Sequence, residues 1–374
     1  MRVSLDVTSL LDPPTGVGVF TGEVLGGLAR RDDVDLTAFA VSLRGRRRLA
    51  GVVPPGVRTA GRPFPARVAR RAWLRGDHPS ARSLAGRSID LVHGPNFVVP
   101  PGGRGVAEVV TVHDLTALHF PELCTADVLQ WPPLLERALR RGAWVHAVSG
   151  SVADEVRTAF PAAADRVVAI ANGVRPPPPP GAGSDEAAGR RLAGGDRFVL
   201  AVGTVEPRKD LPSLVRGFDA LAADDPDLRL VIAGPDGWGA EDLTAAIDAA
   251  AHRRRIVRLG WVDGPQRLAL MRAAAVVAYP SRYEGFGLVP LEALAVGTPV
   301  VATAVGALPE VLGDAAPLVA PGDAAALAAA IDQVLTDDEL RATLLARGAE
   351  RVAAYRWEDT VDGLVDLYRR STDG

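Results

Sequence analysis

Two glutamates eight positions apart, Glu284 and Glu292, bracket the run Glu284-Gly285-Phe286-Gly287-Leu288-Val289-Pro290-Leu291-Glu292. An apolar stretch from Ala275 to Tyr279 leads into it, and a helical pattern opens at about Leu288. Gly285 and Gly287 would let backbone N–H groups approach a ligand closely, and a helix start adds unpaired donors and positive dipole. Carboxylates at the mouth of such a loop and one turn into its helix suit sugar hydroxyls, one at each end of a nucleotide sugar. The plainer alternative makes Glu284 a turn acid and Glu292 a solvated helix acid. The apolar neighbours Leu288, Leu291, Leu294 and Ala295 speak against a solvated face.

Lys209 is the single lysine among 42 basic residues. A lysine kept where arginine is otherwise universal suggests a compact point charge that a planar fork does not replace; chance is the competing explanation. It follows Arg208, after the apolar run Phe198 to Val202 and before the helical pattern Leu211, Leu214, Val215, Phe218. Strand, short basic loop and helix start together form a phosphate-holding arrangement. A charge poised in an open cleft there would contribute little to folding.

Two further groups stand at the ends of apolar strands. Thr15-Gly16-Val17-Gly18 follows the first strand, and His113 follows Val109 to Val112. A tight turn without ligand and a packing histidine are the plain readings of these. His93 is a lesser candidate, and His78, His119, His146 and His252 read as structural or exposed. The acid clusters Asp32-Asp33-Val34-Asp35 and Asp224-Asp225-Pro226-Asp227 lie between a helix and the next strand and read as solvated turns, not metal ligands.

The elements that position these residues alternate strand and helix throughout. Strands are expected near 2–7, 35–41, 89–93, 107–112, 144–148 and 167–171, then 197–202, 228–233, 256–259, 275–279, 299–302 and 317–319. Helices are expected near 18–30, 65–75, 124–141 and 150–160, then 209–222, 239–251, 264–274, 288–296, 323–335 and 337–353, with an amphipathic closing helix from Trp357. Pro176 to Pro180, followed by Gly181-Ala182-Gly183-Ser184, reads as a spacer. The expected architecture is two doubly wound, Rossmann-like parallel-sheet domains facing a cleft. One spans 1–175, with a closing helix at about 355–374 that packs back on it; a linker spans 176–186 and a second domain 187–354.

With 374 residues and a mean hydropathy of +0.12, the chain reads as a soluble globular protein of two domains. Its one cysteine, Cys124, excludes an intrachain disulfide and fits a reducing, cytoplasmic setting. Residues 1–175 carry 22 arginines against 16 acids and the remainder 20 bases against 29 acids, so the first half is the electropositive one. Within it, residues 62–87 hold Arg62, Arg67, Arg70, Arg71, Arg75, Arg82 and Arg87 against Asp77 alone. On a helix, Arg67, Arg70, Arg71 and Arg75 share a face opposite Val68, Ala69, Ala72 and Trp73. That is either a solvated face or a basic amphipathic helix resting on anionic lipid at the inner face of the plasma membrane. Nucleic acid is disfavoured, since no aromatics interleave with the arginines.

Taken together, these motifs resemble the family 4 (group 1) retaining glycosyltransferases of the GT-B fold, mannosyltransferases among them, over nearly the whole chain. Glu284 and Glu292 match the E-x7-E motif and Arg208-Lys209 the diphosphate-binding pair. Gly297-Thr298-Pro299-Val300-Val301-Ala302, then Gly306, Pro309 and Glu310, match the strand and loop that follow. Thr15 to Phe20 is similar to the family's glycine loop and Val112-His113-Asp114-Leu115 to its acceptor-side histidine motif; Val289 departs from a common proline. The resemblance implies hexose transfer from a nucleoside-diphosphate sugar to a glycan or glycolipid acceptor, without metal or other cofactor. It assigns catalysis to His113, Glu284, Lys209 and Arg208. Donor binding falls to Gly16, Gly18, Arg208, Lys209, Gly285, Phe286, Gly287, Leu288 and Glu292. A sugar-nucleotide epimerase or phosphorylase on the same fold, or a silent sugar-nucleotide-binding subunit of a glycan assembly complex, remain as rivals.

Overall fold

The computed structural model describes residues 1–11, 15–43, 45–60, 64–179 and 184–373. Two compact units form: Met1–Gly173 with Arg356–Gly374, and Val174–Tyr355.

Seven parallel strands build the first unit's sheet: β1 (Arg2–Asp6), β2 (Asp35–Phe39), β3 (Arg58–Ala60), β4 (Leu91–Gly94), β5 (Ala107–Val112), β6 (Trp144–Ala147) and β7 (Val167–Ala169), in the order β3-β2-β1-β4-β5-β6-β7. The second unit's sheet holds β8 (Phe198–Val202), β9 (Arg229–Ala233), β10 (Ile256–Gly260), β11 (Val276–Tyr279), β12 (Val300–Thr303) and β13 (Leu318–Val319), ordered β10-β9-β8-β11-β12-β13 and again all parallel. Central strands such as Phe198-Val199-Leu200-Ala201-Val202 are buried along their whole length, as strands covered by helices on both faces must be. In each sheet the winding reverses beside the first strand, between β1 and β4 and between β8 and β11. Such a reversal leaves a crevice at the carboxyl ends of the two strands.

Several elements differ from the expected ones. The helix placed at 124–141 is a 3₁₀ turn, Val128–Gln130, followed by an α-helix, Trp131–Arg140. Pro132 and Pro133 lack N–H groups and fit only the first turn, which fixes where that helix begins. The first helix starts at Gly16, capped by Thr15 Oγ1 accepting from Gly18 N at 3.2 Å. The linker read as reaching residue 186 is already helical from Ser184, in a helix running to Ala193; Pro180 to Gly183 lie outside the described residues. Strand β3 and the short helices Ala81–Ala85, Thr116–His119 and Leu308–Leu312 were not expected.

The closing helix, Trp357–Asp373, belongs to the first unit. Gly27 admits it, since a Cβ there would lie 2.4 Å from Val361 Cγ2. A buried polar chain fastens it. The Tyr368 hydroxyl lies 2.6 Å from His93 Nδ1, His93 Nε2 lies 2.7 Å from Thr111 Oγ1, Thr111 Oγ1 lies 3.0 Å from His146 Nδ1, and His146 Nε2 lies 2.9 Å from Ile170 O. The Ile170 carbonyl only accepts, so His146 donates from Nε2 and accepts at Nδ1. That forces Thr111 to donate to His146 and accept from His93, and Tyr368 to donate to His93. These roles hold with both rings neutral, the form that burial favours, and each ring is then in a fixed tautomer. Burial lowers His93 well below the usual range and His146 to about 3.

Between the unfolded value near 6.5 and these depressed values the unfolded chain binds protons that the native chain refuses, so stability falls as pH drops through that window. Each histidine adds a slope of up to about 1.4 kcal/mol per pH unit. His146→Gln, whose amide can keep both hydrogen bonds, is expected to flatten the dependence of the urea midpoint on pH between 4 and 6. An unchanged slope would show that His146 does not titrate on unfolding.

Candidate functional site

The second unit's switch point carries a cluster of buried ionic groups. Strand β8 ends at Val202, and the chain turns through Gly203, whose carbonyl lies so near Gly234 that a Cβ there would sit 1.9 Å from it. One 3₁₀ turn, Pro207–Lys209, follows; Asp210, at φ +44°, then reverses the backbone into the helix Leu211–Asp224. Strand β11 ends beside it at Tyr279, and the Arg282 N–H donates to Arg208 O at 2.8 Å, joining the two loops.

Between those loops, Lys209 Nζ donates to Tyr279 OH and to Glu284 Oε1, both at 2.6 Å, and stands 4.5 Å over the Tyr279 ring. Arg208 Nη1 is 2.9 Å from Glu284 Oε2 and 2.9 Å from Tyr283 O; its Nη2 donates to Glu206 Oε1 at 2.6 Å. Ser281 Oγ donates to Glu284 Oε1 at 2.7 Å. Burial opposes charge on Glu284, but Arg208 and Lys209 outweigh it and hold the carboxyl at about 2. Burial also pulls Lys209 below its usual value and pushes Tyr279 well above. The side chain of Lys209 is only 13% exposed. The expectation of a charge in an open cleft with little bearing on folding is corrected: Lys209 is half of a shielded ion pair.

After Glu284 the chain passes Gly285 and Phe286 to Gly287, at φ +103°, which opens the helix Leu288–Ala295. That φ is one side chains rarely adopt, and a Cβ on Gly287 would also lie 2.6 Å from Leu308 Cδ2, which would have to shift. Phe286 is buried edge-on against Tyr355 at 5.6 Å, so only its backbone is available to a ligand. Leu288 is half-buried at the helix start. Glu292, one turn on, is not free: its carboxylate pairs with Arg267 of the helix Gly264–Ala273.

Gly16, Gly18 and His113 belong to the first unit. The glycines occupy the first turn of the helix Gly16–Ala29, Gly16 exposed and Gly18 buried, so the stretch read as a glycine loop is helical from Gly16 onward. A Cβ on Gly18 would meet only ordinary contacts. His113 lies just past β5, edge-on to Phe20 at 5.1 Å and to Phe97 at 5.8 Å. Its Nε2 lies 2.7 Å from Pro95 O and must donate to it, so in the neutral ring Nδ1 is an acceptor; burial lowers its pKa.

Sequence reasoning missed Glu206, Tyr279, Ser281 and Arg267 as partners. Glu206, two residues before Arg208, and Ser281, three before Glu284, are the local signals; Arg267 and the meeting of Tyr279 with Lys209 come only through folding. It also gave no role to Asp6, at the end of β1, which accepts from Thr8 N at 2.9 Å and is pushed up by burial to about 6. In the acid clusters, Asp225 Oδ1 accepts two turn N–H groups, and Asp33 and Asp35 pair with arginines. In the arginine-rich segment, Arg62 lies outside the described residues. The helix Ala66–Trp73 points Ala69 and Trp73 inward, with Trp73 Nε1 donating to Pro79 O at 2.9 Å. Val68, expected on that apolar face, is 51% exposed beside Arg67 and Arg71. No helix among the described residues is long and apolar enough to cross a membrane.

Comparison with known proteins agrees with this architecture. Residues 14–176 match the model of Glycosyltransferase Family 4, and residues 185–351 that of Glycosyl transferases group 1. The chain is 31% identical over 299 residues to O-antigen chain mannosyltransferase B of Escherichia coli, covering 78% of either protein. It is 36% identical over 334 residues to D-inositol 3-phosphate glycosyltransferase of Salinispora arenicola, covering 79% of this chain and 72% of that one. Among solved structures, Anabaena HepE in complex with UDP and glucose superposes with a TM-score of 0.72 at 21% identity, over 99% of this chain and 100% of that one. The chain belongs to the group 1, family 4 glycosyltransferases and has their GT-B architecture of two parallel-sheet Rossmann-like domains.

Proposed function

We propose that this glycosyltransferase moves a hexose, mannose in the first instance, from a nucleoside-diphosphate sugar to a glycan or glycolipid acceptor, with retention and without a metal ion. The observation that carries this reading is the pair of cations, Arg208 and Lys209, tethered at the second unit's switch point beside a buried carboxylate. The mannosyltransferase name of the Escherichia coli relative supports the choice of sugar.

In the reaction, the bond from the anomeric carbon to the diphosphate oxygen breaks and the acceptor oxygen bonds to that carbon on the same face. The acceptor's proton passes to the departing phosphate oxygen, so the products are the glycoside and the protonated nucleoside diphosphate. Negative charge grows on the leaving group, and Arg208, Lys209 and the N–H groups at the start of the helix Leu288–Ala295 are placed to stabilise it. Glu284 takes donor-sugar hydroxyls and Glu292 the ribose hydroxyls. His113 offers Nδ1 to a hydroxyl of the sugar or acceptor, with Nε2 committed to Pro95.

The test is a thermal-shift panel of GDP, UDP, ADP and dTDP, followed by transfer assays with the stabilising nucleotide's sugars in EDTA. A ligand bound only by the native state raises the melting temperature. Turnover is expected to persist under chelation; complete loss, restored by magnesium or manganese, would remove the role given to the two cations. An epimerase would isomerise or release sugar without acceptor, and a silent subunit would bind donor and turn over nothing.

A further inference from the structure

Resting on that donor-site reading, we propose that Glu284 stands in for the donor's diphosphate. It pairs with both Arg208 and Lys209 in the free site, yields both cations to the arriving diphosphate, and only then offers its oxygens to the donor sugar's hydroxyls.

The argument starts from acceptor accounting. An ionised carboxylate has about four acceptor positions. Oε1 of Glu284 receives Lys209 Nζ at 2.6 Å and Ser281 Oγ at 2.7 Å, and Oε2 receives Arg208 at 2.9 Å. The carboxylate is 8% exposed, so water contributes little. A sugar hydroxyl entering this site finds its acceptor nearly saturated.

Each cation, however, has an anchor that does not involve Glu284. Lys209 keeps the Tyr279 hydroxyl and ring, and Arg208 keeps Glu206 Oε1 at 2.6 Å and Tyr283 O at 2.9 Å. Losing Glu284 as partner therefore leaves both cations in position. An ammonium has three donors: one stays on Tyr279, and the other two, including the one now on Glu284, can turn to phosphate oxygens. A diphosphate brings more than one negative charge where Glu284 brings one, and in a shielded site that difference is large even with Glu206 kept on Arg208. Exchange frees the Lys209 and Arg208 positions on Glu284 while Ser281 keeps the carboxylate oriented. Recognition of the sugar thus depends on prior capture of the diphosphate. A free hexose meets an occupied acceptor, and only a hexose carried on a diphosphate brings the means to vacate it. By linkage, the sugar must in turn tighten diphosphate binding by the same factor.

Inorganic pyrophosphate tests this independently of the donor base. By calorimetry it is expected to bind Glu284→Gln about tenfold or more tightly than wild type, because the competing charge is gone while shape and Ser281 contact remain. Equal or weaker binding to the variant overturns the exchange. Wild-type protein supplies a second test should the variant not fold. In saturation-transfer NMR, methyl α-mannopyranoside or methyl α-glucopyranoside is expected to show contact only with pyrophosphate present. A glycoside signal that pyrophosphate does not change, including none in either state, also overturns it. Wild type that does not bind pyrophosphate at all sinks the donor-site reading itself.

Discussion

Lys209→Arg is expected to lower kcat by about 10²–10³ although it keeps the charge, the range for losing one preorganised donor to a developing anion. The surroundings leave no slack for a longer, planar head. Nζ is clasped between Tyr279 OH and Glu284 Oε1, both at 2.6 Å, and the stem passes Gly203, where a Cβ would lie 3.6 Å from Lys209 Cε. A guanidinium would have to displace Tyr279 or meet the phosphate oxygens from another direction. Lys209→Ala is expected to lose a similar amount of turnover and, in addition, about 1–3 kcal/mol of stability, because it strips a buried carboxylate of one of two counter-charges. The arginine variant keeps a counter-charge for Glu284 but must fit a bulkier head into a buried site, so it too should melt below wild type, and binding of nucleoside diphosphate to the folded variant separates chemistry from folding. Near wild-type turnover in Lys209→Arg would mean that any cation suffices there.

The other large effect is expected at a residue that carries no charge of its own, Gly306. Its φ is +49°, and a Cβ would lie 2.1 Å from the Glu284 carbonyl oxygen, which also accepts from Ala307 N at 2.9 Å. The atom struck is backbone, so no rotamer relieves the contact, and the loop carrying Glu284 must move. A displacement of about 1 Å at a site of positioned charges costs on the order of 10² in rate. Gly306→Ala should therefore lower kcat/KM by about 10², with a lower melting temperature, while leaving the first unit's acid-dependent unfolding unchanged. Full activity in Gly306→Ala would show that the Glu284 backbone need not stay where it is.

Much of this fold is legible because buried parallel strands are written as plain apolar runs. Val109 to Val112, Phe198 to Val202 and Ala275 to Tyr279 announce themselves. What escapes is what local pattern does not encode. Strand β3 is Arg58-Thr59-Ala60 at a sheet edge, where one-sided exposure removes the apolar signal. The helix from Ser184 follows a proline run, so local pattern makes its start look like spacer. At the site, glycines, basic pair and glutamates are visible as residue types, yet their mutual use is not. Glu284 lies 75 residues from Lys209, and only the adjacency of β8 and β11 makes it that lysine's counter-ion. Nor does spacing reveal that Glu292 comes already paired with Arg267. The hydrogen-bonded row through His93, Thr111 and His146 is equally silent in sequence, since its members come from three neighbouring strands.

That row ends on Tyr368, and this sets the order of events on the ribosome. Residues 1–173 emerge first, but Leu364, Val365, Leu367 and Tyr368, all at most 1% exposed, are part of their core. Until those are translated, His93 lacks its donor and the groove over the helix Gly16–Ala29 is uncovered. The second unit, ending at Tyr355, has all its residues before the first does. At about 5–20 residues per second the early half waits roughly 10–40 s with an apolar surface open to solvent. The first part of the message is thus the last to be finished as a fold.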